Sequence, residues 1–546
     1  MVQGIRRFLI LLLLLSAGLA QAQSVFLFSL DGFGHQFFTK SPASAPLKTL
    51  KRLAARGAIA DGIQPAFPST TSNSHCALWT GVYGDVSHIT ANNLPSLPRA
   101  EHSFLDRSSG YRADQLAAEP LWVTAARQGV KTVAYQTPQS IPFLPINTHP
   151  LALTVNGYQT KRIAPHLVLH RKDLRFDSAN EFHFQHGPVV LKGVLTRQGV
   201  QIEGVAVPMA PVESDLPTDR PLARRFSEGL YLDDPVPAVI YFRLFEFSRD
   251  DLLLYVSPIQ ELAFSHGDPR DLLHSAGGFI ANSYDGPLLT TAQSLETMEL
   301  QARQSYQQIT WLYRHEAPRL FMAYVTTSDE LGHRYLGLYD QGDSNAKTAM
   351  EWGYTILERW SREIMKLVTP RDHVIITADH GMAPVNRLVN VNEILRRAGL
   401  GNVAVHVYNS VLLNTTDWKD GTVKDREAVR AQVQAALAAV PAFVGFYTPE
   451  HDGAQYGIGG PAGSDLYFDL APGYFVKDEE GEIFPKLDRP TGQHGFRPDR
   501  EDMIATLFVN GPTIKPGTRW PRMKSIAVAP LAARLLGIQP PKDAVR

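Results

Sequence analysis

Residues 24–34 read SVFLFSLDGFG, an apolar and aromatic run that stops at Asp31 and is followed by Gly32. Two later stretches repeat the device. Residues 320–326 (LFMAYVT) lead into Asp329, and 373–378 (HVIITA) lead into Asp379 and His380. Short bounded runs rich in β-branched and aromatic residues predict buried strands. In an open parallel sheet, ligands gather outside the carboxyl ends of the strands. Carboxylates and imidazoles meeting at such an edge predict a metal site and a metallohydrolase.

The flanking sequence supports an α/β core. Residues 46–56 (PLKTLKRLAAR) have helical spacing and are closed by Gly57; 120–128 is helical and is followed by Gly129 and a short strand at 131–135. Long helices are expected near 292–314 and 346–367, a strand at 503–509 and a closing helix near 527–536. Strand–helix alternation of this kind predicts a doubly wound, mostly parallel sheet flanked by helices. Between them, 155–285 changes character, with alternating β-branched and aromatic runs at 189–196, 200–206 and 238–247. The expected division is therefore a core of 23–154 and 286–546, a β-rich insertion of 155–285, and a smaller insertion at 400–480. The smaller insertion holds a helix at 425–439 and a Gly-rich stretch, 457–463, read as a flexible loop.

At 546 residues the chain is long for one compact domain, which suits a core with insertions. Residues 1–22 read as a signal peptide: Arg6 and Arg7 precede an apolar stretch, and Ala20-Gln21-Ala22 gives an A-x-A cleavage pattern. Its removal takes the formal net charge from −1 to −3, because Arg6 and Arg7 are the only charged residues before Gln23. No later stretch approaches the ~20 apolar residues of a spanning helix, and no basic stripe suggests nucleic-acid binding. The single cysteine, Cys76, forbids an internal disulfide. That pattern favours an exported bacterial enzyme, periplasmic or secreted, over a disulfide-rich extracellular one.

Several weaker features sit among the strand ends. Residues 67–81 (FPSTTSNSHCALWTG) offer hydroxyls at Ser69, Thr70, Thr71 and Ser72 before a helix start expected near His75. A helix N-terminus presents free N–H groups to an anion, although the same residues are also ordinary helix caps. Asp329 and His333 are spaced i, i+4 and face one way on a helix. Asp379-His380 sits at a strand end, where neighbours can diverge toward two metals. His494 lies in a Gly-containing loop.

In the order LDGFG, FP-x-x-T-x-x-x-H-x-x-x-x-TG, SD-x-x-GH, ADHGM and GQHG, the chain resembles the type I phosphodiesterase/nucleotide pyrophosphatase family of the alkaline phosphatase superfamily. The resemblance covers 24 to about 135 and about 320 to the C-terminus. It implies an alkaline-phosphatase-like fold and two divalent metals, zinc by preference. Asp329, His333 and His494 would hold one; Asp31, Asp379 and His380 would hold the other, with Thr71 touching it. Thr71, four residues before the motif His, is the implied nucleophile, forming a covalent phospho-threonine. The family's phosphate-supporting Asn falls on Asn92 by spacing from Thr71 and on Asn93 by anchoring on His88; the reading adopted is Asn92. Two departures stand out. Asn73-Ser74 replaces the usual Pro-Asn, and Gln136–Ser140 (QTPQS) replaces a Trp-Pro-Gly-type stretch. His75 reads as structural.

A threonine hydroxyl is a weak nucleophile at neutral pH, and a metal beside it lowers its pKa. Carboxylate and imidazole donors suit Zn, with Mn and Fe compatible. The expected substrate is a small phosphodiester or a pyrophosphate-linked nucleotide. A phosphomonoesterase or phosphonate hydrolase would use the same metals; the absence of a Lys-Asp-Arg-type motif after Val133 favours diesters. The lack of Cys-x-Pro-x-Arg and Ser-x-Pro-x-Arg argues against a sulfatase. A catalytically silent exported binding protein is the alternative of a different class.

Overall fold

The computed structural model describes residues 23–41, 47–210, 226–248, 250–280 and 288–544. The expected leader, 1–22, lies outside them. Nine strands form the central sheet, in the order Ala263–Phe264, Ala152–Asn156, Thr132–Tyr135, Leu320–Val325, Val25–Leu30, His373–Thr377, Leu507–Asn510, Ala58–Ala60 and Thr518–Trp520. The strands from Ala152–Asn156 through His373–Thr377 are parallel, whereas Leu507–Asn510 and Ala263–Phe264 run against their neighbours. The sheet is thus mostly parallel, as the strand–helix alternation requires.

Both faces of Val25–Leu30 are covered, so the strand is apolar throughout rather than alternating. On one face Phe26 packs on Tyr313 of helix Thr291–Glu316, and Phe28 meets Trp360 of helix Ser344–Ile364 edge-on. On the other, Ser29 Oγ bonds His75 Nε2 at 2.9 Å, from helix Thr71–Thr80. Leu30 stands beside Val325, and Ser29 beside both Tyr324 and Thr377. This register ends three strands side by side and brings the residues that follow them to one edge.

The chain leaves the sheet after Asn156 and returns at Ala263. Between them it forms a five-stranded antiparallel sheet over 175–208 and a three-stranded sheet of Leu167–His170, Phe242–Phe247 and Leu252–Val256. Phe182, Phe184, Leu191, Ile240 and Leu254 make a core of their own there. We propose boundaries of 157 and 262 for this insertion, inside the expected 155–285. Ala263–Phe264 edges the central sheet, and helix Arg270–Ala276 buries Leu272, Leu273 and Ala276 in the main core.

Within 400–480, four strands (Ala404–His406, Ser410–Leu413, Leu466–Leu470 and Phe443–Tyr447) and helix Arg426–Ala438 enclose Val411, Val433, Leu437 and Phe468. The Gly-rich stretch is tightly packed rather than a flexible loop. A Cβ on Gly457 would stand 2.2 Å from the Tyr83 Cβ, and one on Gly463 would stand 2.3 Å from the Gly459 carbonyl oxygen. Glycine is there for close approach.

Candidate metal centre

Asp31 directly follows its strand and is fixed from two sides. The Tyr324 hydroxyl donates to Oδ2 at 2.6 Å, and Ser328 Oγ donates to the Asp31 carbonyl at 2.6 Å. Asp329 and His333 lie on helix Thr327–Asp340, with His333 Nε2 3.3 Å from Asp329 Oδ2. Gly32 allows that helix to come close: its φ is +65°, and a Cβ there would stand 2.9 Å from Asp329 Cα. Its N–H donates to Asp379 Oδ1 at 3.1 Å. His494 follows strand Thr491–Gln493.

These residues form two groups. Asp31, Asp379 and His380 offer ligand atoms all within 4.8 Å of one another, and so do Asp329, His333 and His494. The rings of His380 and His494 stack with centroids 3.8 Å apart and join the groups. Thr71 Oγ1 lies 3.3 Å from His380 Nε2.

The donor set fits divalent cations. Asp31 Oδ1 and Asp329 Oδ1 are buried oxygens that accept no hydrogen bond, an expensive condition unless something cationic meets them. Each imidazole, moreover, is turned by a backbone carbonyl. Nδ1 of His333 meets Gly492 O at 2.8 Å, that of His380 meets Gly381 O at 2.8 Å, and that of His494 meets Ser69 O at 3.0 Å. Such outer contacts set the tautomer and leave Nε2 as the ligating atom.

The electrostatics agree. Burial raises the Asp31 carboxyl well above its usual range, and the charges of Asp329 and Asp379 push it further. Burial opposes charge on Asp379 too, but His380 and His75 outweigh it and hold that carboxyl well below its usual range. Burial, with His380 and His333 alongside, lowers His494 to about 3, so its ring is neutral and its lone pair free.

Helix Thr71–Thr80 begins at Thr71, about one turn before the expected start near His75. Thr70 is extended and its hydroxyl donates to Asn73 Oδ1 (2.7 Å) instead of capping the backbone. Asn92 Oδ1 accepts from Ser72 N at 2.8 Å, whereas Asn93 is exposed and pairs with Ser109 in a hairpin. His75 does more than fill space: its Nδ1 is 2.8 Å from the Thr71 carbonyl oxygen and 3.2 Å from Asp379 Oδ2. Sequence reasoning passed over the tyrosines. Tyr324 holds Asp31, and the Tyr158 ring meets those of Tyr324 and Tyr111 edge-on at 5.5 Å and 5.9 Å. Tyr324 carried one signal, a hydroxyl in an otherwise apolar strand ending near Asp329; the others carried none.

A family model described as type I phosphodiesterase/nucleotide pyrophosphatase matches residues 25–497. Human ectonucleotide pyrophosphatase/phosphodiesterase family member 1 is 30% identical over 115 residues, 21% of this chain and 12% of that protein. Venom phosphodiesterase of Naja atra is 28% identical over 114 residues, 21% of this chain and 14% of that protein. These matches span about an eighth of the curated relatives' length. In fold, murine ectonucleotide pyrophosphatase/phosphodiesterase 5 aligns with a TM-score of 0.53 at 13% identity over 96% of both chains. An inactive threonine-to-alanine form of that murine protein, in complex with AMP, aligns equally well. No helix among the described residues is long and apolar enough to cross a membrane. A mostly parallel sheet with carboxylates and imidazoles at its strand ends, matched by the family model over most of its length, makes this chain a member of the type I phosphodiesterase/nucleotide pyrophosphatase family.

Proposed function

We propose that the chain is an exported, metal-dependent phosphodiesterase/nucleotide pyrophosphatase that hydrolyses phosphodiester or pyrophosphate bonds through a covalent phospho-Thr71. The observation that carries this reading is the pair of ligand groups flanking a threonine at a helix N-terminus. Asp329, His333 and His494 would hold one divalent cation; Asp31, Asp379, His380 and Thr71 would hold the other. When bound, two such ions, zinc by the donor set, neutralise charge on the nucleophile and the phosphoryl group. Thr71 gives up its hydroxyl proton to water, and its Oγ attacks phosphorus in line as the bond to the leaving oxygen breaks. Asn92, its carbonyl committed to Ser72 N, has its amide N–H groups left to donate to a phosphoryl oxygen. Water then cleaves the Thr71 Oγ–P bond, releasing the remaining phosphate monoester and restoring the hydroxyl. The AMP complex of the murine relative supports nucleotides as substrates.

Thr71→Ala should lower turnover of bis-p-nitrophenyl phosphate by about a thousandfold or more, with zinc content unchanged. Undiminished turnover would sink the assignment. On p-nitrophenyl phosphate, catalytic efficiency should be lower than on the diester; the reverse order would make the site a monoesterase.

A further inference from the structure

The smaller insertion brings one of its turns up to the metal centre. Its strands Ala404–His406 and Ser410–Leu413 pair as a hairpin with the loop Tyr408-Asn409. Val407 N donates to Ser410 O at 2.9 Å, and Ser410 N donates to Val407 O at 3.1 Å. The loop is held from behind as well. Asn409 O accepts from Phe468 N at 3.0 Å, and Ser410 Oγ meets Ser464 Oγ at 2.8 Å. Tyr408 turns the corner at φ +50°. A residue other than glycine pays for that left-handed conformation, and such strain gathers at functional sites.

Asn409 is fully buried, and neither end of its side-chain amide bonds any group among the described residues. Asparagine is favoured in turns because its side chain bonds the backbone two residues on. This one makes no such bond, so the turn does not account for it. An amide left buried and unpaired is destabilising, and each such group calls for a reason of its own. Its position supplies one. A Cβ built on Gly495, whose φ is +101°, would lie 3.6 Å from Asn409 Oδ1 and 3.5 Å from Thr70 Cγ2. Gly495 follows His494, and Thr70 precedes Thr71. The amide therefore sits where the His494 loop meets the start of the Thr71 helix. With both ends unbonded, it can present its N–H groups to a ligand there.

We propose that Asn409 is a further catalytic residue, its amide N–H donating a hydrogen bond to the oxygen that leaves phosphorus. This rests on Thr71 being the nucleophile. In-line attack puts the leaving oxygen on the side of phosphorus away from Thr71. Thr71 belongs with Asp31, Asp379 and His380, whereas Asn409 stands beside the His494 loop of the other ligand group. As the Oγ–P bond forms, the electron pair of the breaking P–O bond passes to the leaving oxygen, which gains negative charge. A fixed donor on that oxygen is worth more in the transition state than in the bound substrate. The amide keeps both its protons; a departing alkoxide takes its proton from water.

A hydrogen bond to the leaving oxygen strengthens as that oxygen becomes more basic, so two aryl esters read it out. In Asn409→Leu, kcat/KM per zinc-loaded site should fall by about tenfold on methyl p-nitrophenyl phosphate and about a hundredfold on methyl phenyl phosphate. Both esters leave the same methyl phosphoryl group on Thr71, so the contrast reports the expulsion step alone. Asn409→Ala removes the donor without filling its space and should show the same contrast, which guards against misfolding of one variant. A purely structural role would lower both esters by one factor. Equal losses, no loss, or a larger loss on the nitrophenyl ester would each overturn the proposal. Thr71→Ala assayed alongside separates the two failures: if it stays active, the underlying site reading has failed. If it is dead while the Asn409 variants show no contrast between the esters, only the present proposal falls.

Discussion

Glu296→Gln deletes the charge of one half of a buried ion pair that joins the inserted sheet to the core. Arg243, on strand Phe242–Phe247, and Glu296, on helix Thr291–Glu316, both have fully buried side chains, with Nε to Oε2 at 2.8 Å and Nη2 to Oε1 at 3.4 Å. The other guanidinium contacts cannot absorb the lost charge. Nη1 donates to the carbonyls of Ala210 (2.8 Å) and Leu244 (2.6 Å), and the group stacks 4.7 Å from the Phe245 ring centre. Leaving one partner of a buried pair uncompensated costs about 3–5 kcal/mol. Were all 546 residues to melt as one unit, the unfolding entropy would be about 1.1 kcal/mol/K, and about 4 kcal/mol would lower Tm by about 4 °C. Should 157–262 melt alone, its entropy of about 0.2 kcal/mol/K turns the same cost into a drop of about 20 °C in its own transition. Scanning calorimetry of the full chain distinguishes these cases. Arg243→Met with Glu296→Met should recover part of the loss, because it removes the buried charge but leaves the Ala210 and Leu244 carbonyls without that donor. No shift of any transition in Glu296→Gln would refute the reasoning.

Two further outcomes follow from buried histidines. His75→Ala removes the group that meets both Asp379 and the Thr71 carbonyl; zinc affinity, measured by chelator competition, should fall about 10–100-fold, and an unchanged affinity would return His75 to a packing role. Burial lowers the His186 ring to about 4, while its Nε2 bonds the Ser257 carbonyl at 3.0 Å. The unfolded ring titrates near 6.5, so the stability this neutral imidazole contributes is complete above that pH. It is lost as pH falls from about 6.5 toward 4, by up to about 3 kcal/mol. Urea melts between pH 7 and 4.5 should therefore be shallower in pH for His186→Asn; parallel profiles would exclude this origin.

Hydrophobic runs and residue types alone determined much about this protein. Residues 25–30, 320–325 and 373–377 are apolar because both faces of a parallel strand are covered, and that local property is readable without neighbours. The grouping of carboxylates and imidazoles at their ends was readable too, since Asp31, Asp329, Asp379 and His380 follow within a few positions. His494 was different. It lies 425 residues from Ser69, whose carbonyl orients its ring, and no period of 2 or 3.6 residues encodes that meeting. Strand order decided it. Tertiary structure likewise separated Asn92 from Asn93, because only the hairpin register shows which of the two turns toward Ser72. It turned the Gly457–Gly463 stretch from a loose loop into a close-packed turn, since glycine marks flexibility and close approach with the same letter. It also set Tyr111, Tyr158 and Tyr324, drawn from separate segments, ring against ring beside Asp31. A sequence states what each short segment buries and which groups it carries; which distant groups meet depends on sheet order, register and the contacts that close around them.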